Sequence, residues 1–321
     1  MQSILAVTLP FFALVLCGWL AGRLRVLPEA AIPGLNSFVL YFALPCMLFQ
    51  FGARTPVSTL LDPTMLAVWA ATALLIVGVS LALLHALRVE LKDGAFAALV
   101  AAFPNTGFMG VPLMTALLGA QAAGPMMLTM LVDMFMTTSV CLVLAQWQAS
   151  GHLPFGRRVL DALRGPVRNP QPWAIALGAV FSATGAALPA PAARVVELLA
   201  GAATPVALFT IGAVLWRAGL HVHTRTPLGE VLPIALIKLL LHPLAVLAIG
   251  VAAISAGAPL SSFHLTVLML AAALPSASNV SLLAERFGAD NGRVARIILA
   301  STALAFVSFS ALAWLAGARP H

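Results

Sequence analysis

The chain has 321 residues, 61% of them hydrophobic and only 8% charged, and its mean hydropathy is +1.03. A soluble domain carries about 25% charged residues, so this composition cannot cover a water-facing surface and excludes an ordinary soluble protein. The net charge of +7 would suit nucleic acid in a soluble chain, but here the charges fall in short connections between apolar runs. That is the pattern of membrane insertion, and no basic helix or aromatic ladder points to a nucleic-acid partner.

A spanning helix needs about 20 apolar residues, and ten segments qualify as candidates. The first, 3–21, has no basic stretch before Ile4 and is followed by Arg23 and Arg25. It reads as an uncleaved first span with its N-terminus outside rather than as a signal peptide. The second, 33–51, contains Ala43-Leu44-Pro45-Cys46-Met47-Leu48-Phe49-Gln50-Phe51-Gly52-Ala53. The third, 64–86, has no acidic residue.

Span 4, 94–118, is interrupted. It reads Phe103-Pro104-Asn105-Thr106-Gly107-Phe108-Met109-Gly110-Val111-Pro112-Leu113, with two prolines and several polar residues at mid-membrane depth. A helix-interior proline costs about 3 kcal/mol. In lipid the backbone groups that it frees must be buried in protein or face a cavity. Span 5, 124–147, carries Asp133, and an ionisable group in the membrane points to function. It could carry a coupling proton, form a structural ion pair with Lys238, or line a cavity. The methionines at 126, 127, 130, 134 and 136 read as packing.

The connection 148–171 holds Arg157, Arg158, Arg164 and Arg168 and reads as a linker with an amphipathic turn or short helix. Span 6 covers 172–187. Span 7, 197–216, contains Ala203-Thr204-Pro205-Val206-Ala207-Leu208-Phe209-Thr210-Ile211-Gly212-Ala213, which matches the span 2 segment at six of eleven positions with an offset of 160. The two segments are five spans apart, so they face opposite ways, which is the mark of an inverted-topology repeat. Span 8, 228–254, carries Lys238 and, one turn on, His242. Lys238 could snorkel, neutralise a crossover or serve coupling; His242 reads as a packed polar side chain. Span 9, 262–286, is the counterpart of span 4, with Ala273-Leu274-Pro275-Ser276-Ala277-Ser278-Asn279 at mid-depth. Span 10 covers 294–316.

Thirteen Lys and Arg residues fall on one set of alternate loops and three, Arg54, Arg194 and Arg319, on the other. That asymmetry assigns the first set, including 148–171, to the cytoplasm and both termini to the outside. The tryptophans read as interface anchors. Cys17, Cys46 and Cys141 read as small buried hydrophobes, with no disulfide and no metal-ligand spacing. No cofactor motif, nucleotide-binding loop or catalytic constellation occurs. Two broken spans at matching positions of inverted halves point to a transport site. A half-helix N-terminus there attracts an anion, with Asn105, Thr106, Ser276, Ser278 and Asn279 adding neutral hydrogen bonds and Gln50 and Thr210 available from the flanking spans.

Pro104-Asn105-Thr106-Gly107-Phe108-Met109-Gly110-Val111-Pro112-Leu113 resembles the Pro-Asn-Thr-x-x-Met-Gly-x-Pro-Leu signature of the auxin efflux carrier family. Ala273-Leu274-Pro275, running on to Ala284-Glu285-Arg286-Phe287-Gly288, resembles its second signature. The likeness covers essentially all ten spans, without the long central loop of the plant members, and the chain looks like a bacterial member of the malonate or malate permease kind. It implies an all-α membrane protein of the sodium/proton-antiporter kind, with ten helices in two inverted five-helix repeats, 1–150 and 172–321, joined by a cytoplasmic linker, 151–171. It implies a scaffold of spans 1, 2, 6 and 7, a transport domain of spans 3–5 and 8–10, and spans 4 and 9 crossing at Pro104 and Pro275. Asn105 matches the substrate-contacting Asn of the first signature. The acid–base pair of the plant members' third span is missing here, so neither their substrate nor their coupling carries over.

The expected function is secondary transport of a small organic anion across the bacterial inner membrane, a mono- or dicarboxylate such as malonate or malate, or an auxin-like carboxylate, by elevator-type alternating access. Substrate contacts fall to Pro104, Asn105, Thr106, Pro275, Ser276, Ser278, Asn279 and Gln50, and coupling to Asp133 and Lys238. The expectation leaves proton and sodium coupling both open. It includes a homodimer through the scaffold spans, and no enzymatic activity, cofactor or metal. The alternatives are a symporter or antiporter of another anion class and a sensor that does not transport.

Overall fold

The computed structural model describes residues 2–147, 155–220 and 226–318. Arg225, Arg319 and the first part of the 148–171 connection lie outside these. Among the described residues the chain is helical and has no strand. In order, the helices are α1 (Gln2–Arg23), α2 (Glu29–Arg54), α3 (Val57–Ala86), α4 (Leu91–Ala102), α5 (Thr106–Leu118), α6 (Ala120–Ala145), α7 (Phe155–Arg168), α8 (Pro170–Thr184), α9 (Ala190–Leu220), α10 (Leu228–Ser255), α11 (Ser262–Ala273), α12 (Val280–Arg286) and α13 (Asn291–Leu315).

Seven of these, α1, α2, α3, α6, α9, α10 and α13, are long and apolar enough to cross a membrane. The other three expected spans appear in shorter pieces. The segment 94–118 falls into α4 and α5, 262–286 into α11 and α12, and 172–187 becomes the 15-residue α8. Helix starts carry local caps that satisfy free N–H groups: Asn169 accepts from the Gln171 amide, Ser261 from His264 and Asp290 from Arg293, and inside α3 Asp62 accepts from Met65 where the long stretch Pro63–Ala86 begins. The amphipathic element expected in the linker is α7, whose Arg158 lies 5.1 Å over the Trp147 ring.

Two close crossings dominate the packing, α1 on α9 and α2 on α8. Glycines permit both. A Cβ on Gly18 would strike the Phe209 carbonyl, and one on Gly178 would lie 2.6 Å from the Phe49 carbonyl oxygen. A Cβ on Gly212 would strike the Val15 carbonyl, and one on Gly52 would lie 3.0 Å from the Ile175 oxygen. Gly18 and Gly178, Phe49 and Phe209, Gly52 and Gly212, and Val15 and Ile175 are each separated by 160 positions, the offset of the sequence repeat. The same contact is therefore made twice, with donor and acceptor helices exchanged.

The remaining helices form a second group around α4 and α11. Every residue of α4 from Gly94 to Ala102 is buried, as is α11 from Val267 to Ala273. The three cysteines differ from expectation: Cys141 is buried, but Cys46 is half-buried and Cys17 exposed. Trp69 departs further, for it is fully enclosed rather than placed at an interface.

Candidate functional site

Both half-helices stop where proline dictates. The residue before a proline is driven out of the helical region, and Phe103 and Leu274 are accordingly extended, at φ −99°, ψ 101° and φ −62°, ψ 153°. The two unwound strands of backbone then meet. The Asn105 amide donates to the Pro275 carbonyl at 2.8 Å and the Ala277 amide to the Phe103 carbonyl at 3.0 Å, forming an isolated antiparallel bridge between Pro104 and Ser276. After the break the chain passes through one π-turn, Thr106–Gly110, before regular helix resumes. The backbone polar groups that would be stranded in oil are thus satisfied by each other.

A small cavity of about 20 Å³, room for about one water, opens beside this crossing. Pro104, Asn105 and Thr106 line it from one break and Ala277 and Asn279 from the other, with Phe103, Phe108, Met130 and Met134 as the apolar wall. Asn105 is 5% exposed. The Ser276 hydroxyl and the Asn279 carbonyl oxygen are buried without a hydrogen-bond partner, a condition that is rare and calls for a ligand or water. Ser276 and Pro275 belong to the bridge itself, and Ser278 is buried just beyond it. Gln50 is not among them. It lines a second cavity of about 420 Å³, together with Phe11, Met47, Pro112, Thr115 and Thr204. The sequence reading missed Gln171, which lines the first cavity and is 4% exposed. Its signal was a polar residue between two prolines, Pro170 and Pro172, at a point read as linker.

Asp133 and Lys238 are both fully buried, each within a π-turn, Asp133–Thr137 and Ile237–Leu241. Such bulges inside α-helices recur at functional sites. Asp133 Oδ1 accepts from Trp69 Nε1 and from Thr137 Oγ1, each at 3.0 Å, while Oδ2 has no partner. Lys238 does not contact the carboxylate. Its Nζ donates to the Ala272 carbonyl at 2.7 Å and lies 3.2 Å from His242 Nδ1. The His242 ring stands 5.3 Å from that of Trp69, which closes a buried chain from Thr137 to the last turn of α11. With Lys238 as an ammonium, which has only donors, Nδ1 of His242 accepts and the ring proton sits on Nε2. The helix end that Lys238 caps is one that leads into the crossing, where the C-terminal dipole favours a cation. No group of His, Cys, Asp and Glu residues suited to a metal ion occurs among the described residues.

A buried polar crossing inside an apolar, multi-helix body defines a membrane transporter. The chain matches the family model described as "Membrane transport protein" over residues 3–313, and it belongs to that family, the auxin efflux carrier-like transporters. It is 28% identical over 340 residues to a Rhizobium meliloti protein named "Putative malonate transporter", covering 100% of this chain and 98% of that protein. It is also 28% identical to the Escherichia coli "Uncharacterized transporter YfdV", over 93% of each chain. A Methanothermobacter thermautotrophicus "Uncharacterized transporter" stands at the same identity, over 94% of each.

Proposed function

We propose that this protein is a secondary transporter of a small organic anion, a short carboxylate such as malonate, bound beside the Pro104–Pro275 crossing and carried by elevator-type alternating access. The observation that carries the reading is the pair of broken helices whose backbones satisfy each other and leave Asn105 and Asn279 free beside a cavity. Neutral donors at a helix break suit a carboxylate. The relative named for malonate supports the substrate class.

In this reading the chain crosses the inner membrane ten times, in two inverted five-helix repeats, 1–150 and 172–321, with both termini outside. The 160-residue offset shared by both glycine crossings supports the repeat. The scaffold is α1, α2, α8 and α9. The transport domain holds α3–α6 and α10–α13, and α7 lies in the cytoplasmic linker. Pro104, Asn105, Thr106, Pro275, Ser276, Ser278 and Asn279 form the substrate site. Gln50 lines the second cavity and belongs to an access path. Asp133 and Lys238 serve coupling, to a proton or to sodium.

Uptake of labelled malonate and related carboxylates into proteoliposomes tests this. Wild-type protein is expected to accumulate or exchange at least one short carboxylate. Asn105→Ala should lose that activity while Gln50→Ala retains it. Absence of any carboxylate flux in the wild type, or an unimpaired Asn105→Ala, would overturn the reading.

A further inference from the structure

Gln171 stands out as a buried polar side chain on the wall of the crossing cavity. It is 4% exposed and lines the cavity beside Asn105 and Asn279. A polar side chain in that place is available to a ligand or water in the cavity. Pro170 and Pro172 lack N–H groups, the Gln171 amide is used by the Asn169 side chain at 2.9 Å, and the Trp173 indole N–H by the Val167 carbonyl at 2.7 Å. Among the described lining residues, Gln171 is the one that α8 contributes to the cavity.

Its position is fixed from behind. The helix α8 is pressed against α2 where Gly178 meets the Phe49 carbonyl, so Gln171 belongs to the body that stays still in the proposed transport cycle. Asn105 and Asn279 belong to the body that moves. A substrate in the cavity meets carboxamides from both bodies. Apart from these and Thr106 the described lining is apolar, and no Lys, Arg or His is among it.

We infer that Gln171 is a specificity-determining residue that receives the second polar end of the substrate, and that the site takes short acids bearing one carboxylate and one neutral hydrogen-bonding group. This rests on the proposed transport function and goes beyond it. A carboxamide both donates and accepts, so it matches a carboxylic acid or hydroxyl group. Two full negative charges in a cavity with only neutral donors are penalised heavily, so a diacid enters singly protonated. A plain monocarboxylate of equal length leaves Gln171 unpaired and is rejected.

The test is counterflow of labelled malonate and of labelled butyrate in proteoliposomes, comparing wild type with Gln171→Leu, Gln171→Asn and Asn105→Ala. Loss of one hydrogen bond to a ligand of this kind is worth about tenfold or more. Gln171→Leu should lower the malonate-to-butyrate ratio by about that factor. Asn105→Ala should depress both. Gln171→Asn, one methylene shorter, should move the preference from malonate towards succinate, which a purely structural role would not do. An unchanged ratio in Gln171→Leu, or an unchanged chain-length preference in Gln171→Asn, overturns the inference. A wild type that exchanges no carboxylate overturns the transport reading instead, and the two failures are distinct.

Discussion

The two glycine crossings allow a sharp test of the inverted architecture. Gly178→Ala would place its Cβ 2.6 Å from the Phe49 oxygen, 2.9 Å from the Ala53 nitrogen and 2.9 Å from the Gly52 Cα. All three are backbone atoms, so no side chain can rotate aside. Restoring an ordinary contact of about 3.5 Å requires the helices to separate by about 1 Å, and overpacking of this kind costs about 1–3 kcal/mol. Against that, alanine gains about 0.5–1 kcal/mol over glycine in a helix, which leaves a net loss of roughly 0.5–2 kcal/mol. Gly18→Ala meets the equivalent Phe209 carbonyl and should lose at least as much. Gly201→Ala lies on the same helix as Gly212 but has nothing within 4 Å, so only the propensity gain remains and the protein should become slightly more stable. Thermal unfolding of the detergent-solubilised protein reads all three. If Gly18→Ala and Gly201→Ala shift the midpoint in the same direction, or if Gly178→Ala is neutral while Gly18→Ala is damaging, the symmetric-crossing argument is wrong.

Asp133→Asn keeps the shape of the side chain and removes its charge. Accumulation driven by an ion gradient should be lost while malonate counterflow persists, and retained accumulation would exclude Asp133 from coupling. Trp69→Phe removes one of the two donors to Asp133 Oδ1. A buried acceptor deprived of a donor costs about 1–3 kcal/mol, so the midpoint should fall, and by less in an Asp133→Asn background. Arg293 lies 2.8 Å from Glu230 and 3.8 Å from both Asp93 and Asp290, with a side chain only 12% exposed. It ties the starts of α4, α10 and α13 together. Arg293→Met leaves three carboxylates facing one another and should destabilise by up to about 3 kcal/mol, with Arg293→Lys intermediate in the same melt.

The breaks in 94–118 and 262–286 were legible because proline is expensive in a helix and its effect is local: it removes a donor and fixes the residue before it, whatever surrounds it. The repeat was legible at span 2 and span 7 because Pro45, Gly52 and their counterparts serve the same packing in both halves. Other features depended on which way a helix face turns. Gln50 looked equivalent to the residues of the breaks, but α2 directs it to the other cavity. Gln171 was read as linker because it precedes the apolar run. Lys238 was matched in sequence with Asp133 as a possible ion pair, whereas its Nζ meets His242 and the Ala272 carbonyl; a backbone carbonyl leaves no mark in the sequence because every residue carries one. Trp69 looked like an interface anchor by composition, and only the fold brings it to Asp133.

The mutual pairing of the two breaks leaves the carboxamides of Asn105 and Asn279 available to the cavity, while the Thr106 hydroxyl bonds back to the Pro104 carbonyl at 3.4 Å. In an isolated half, the amide of Asn105 or Ala277 and the carbonyl of Phe103 or Pro275 would need a local partner, and the nearest polar groups are the side chains of Asn105, Thr106, Ser276 and Asn279. Polar side chains that close to an unwound backbone ordinarily bond back to it. Here each half supplies the other's missing backbone bond at 2.8 and 3.0 Å, so the carboxamides of Asn105 and Asn279 are released to face the cavity. The same pairing makes the halves interdependent: neither break is satisfied until both are in place, so the crossing forms as one unit.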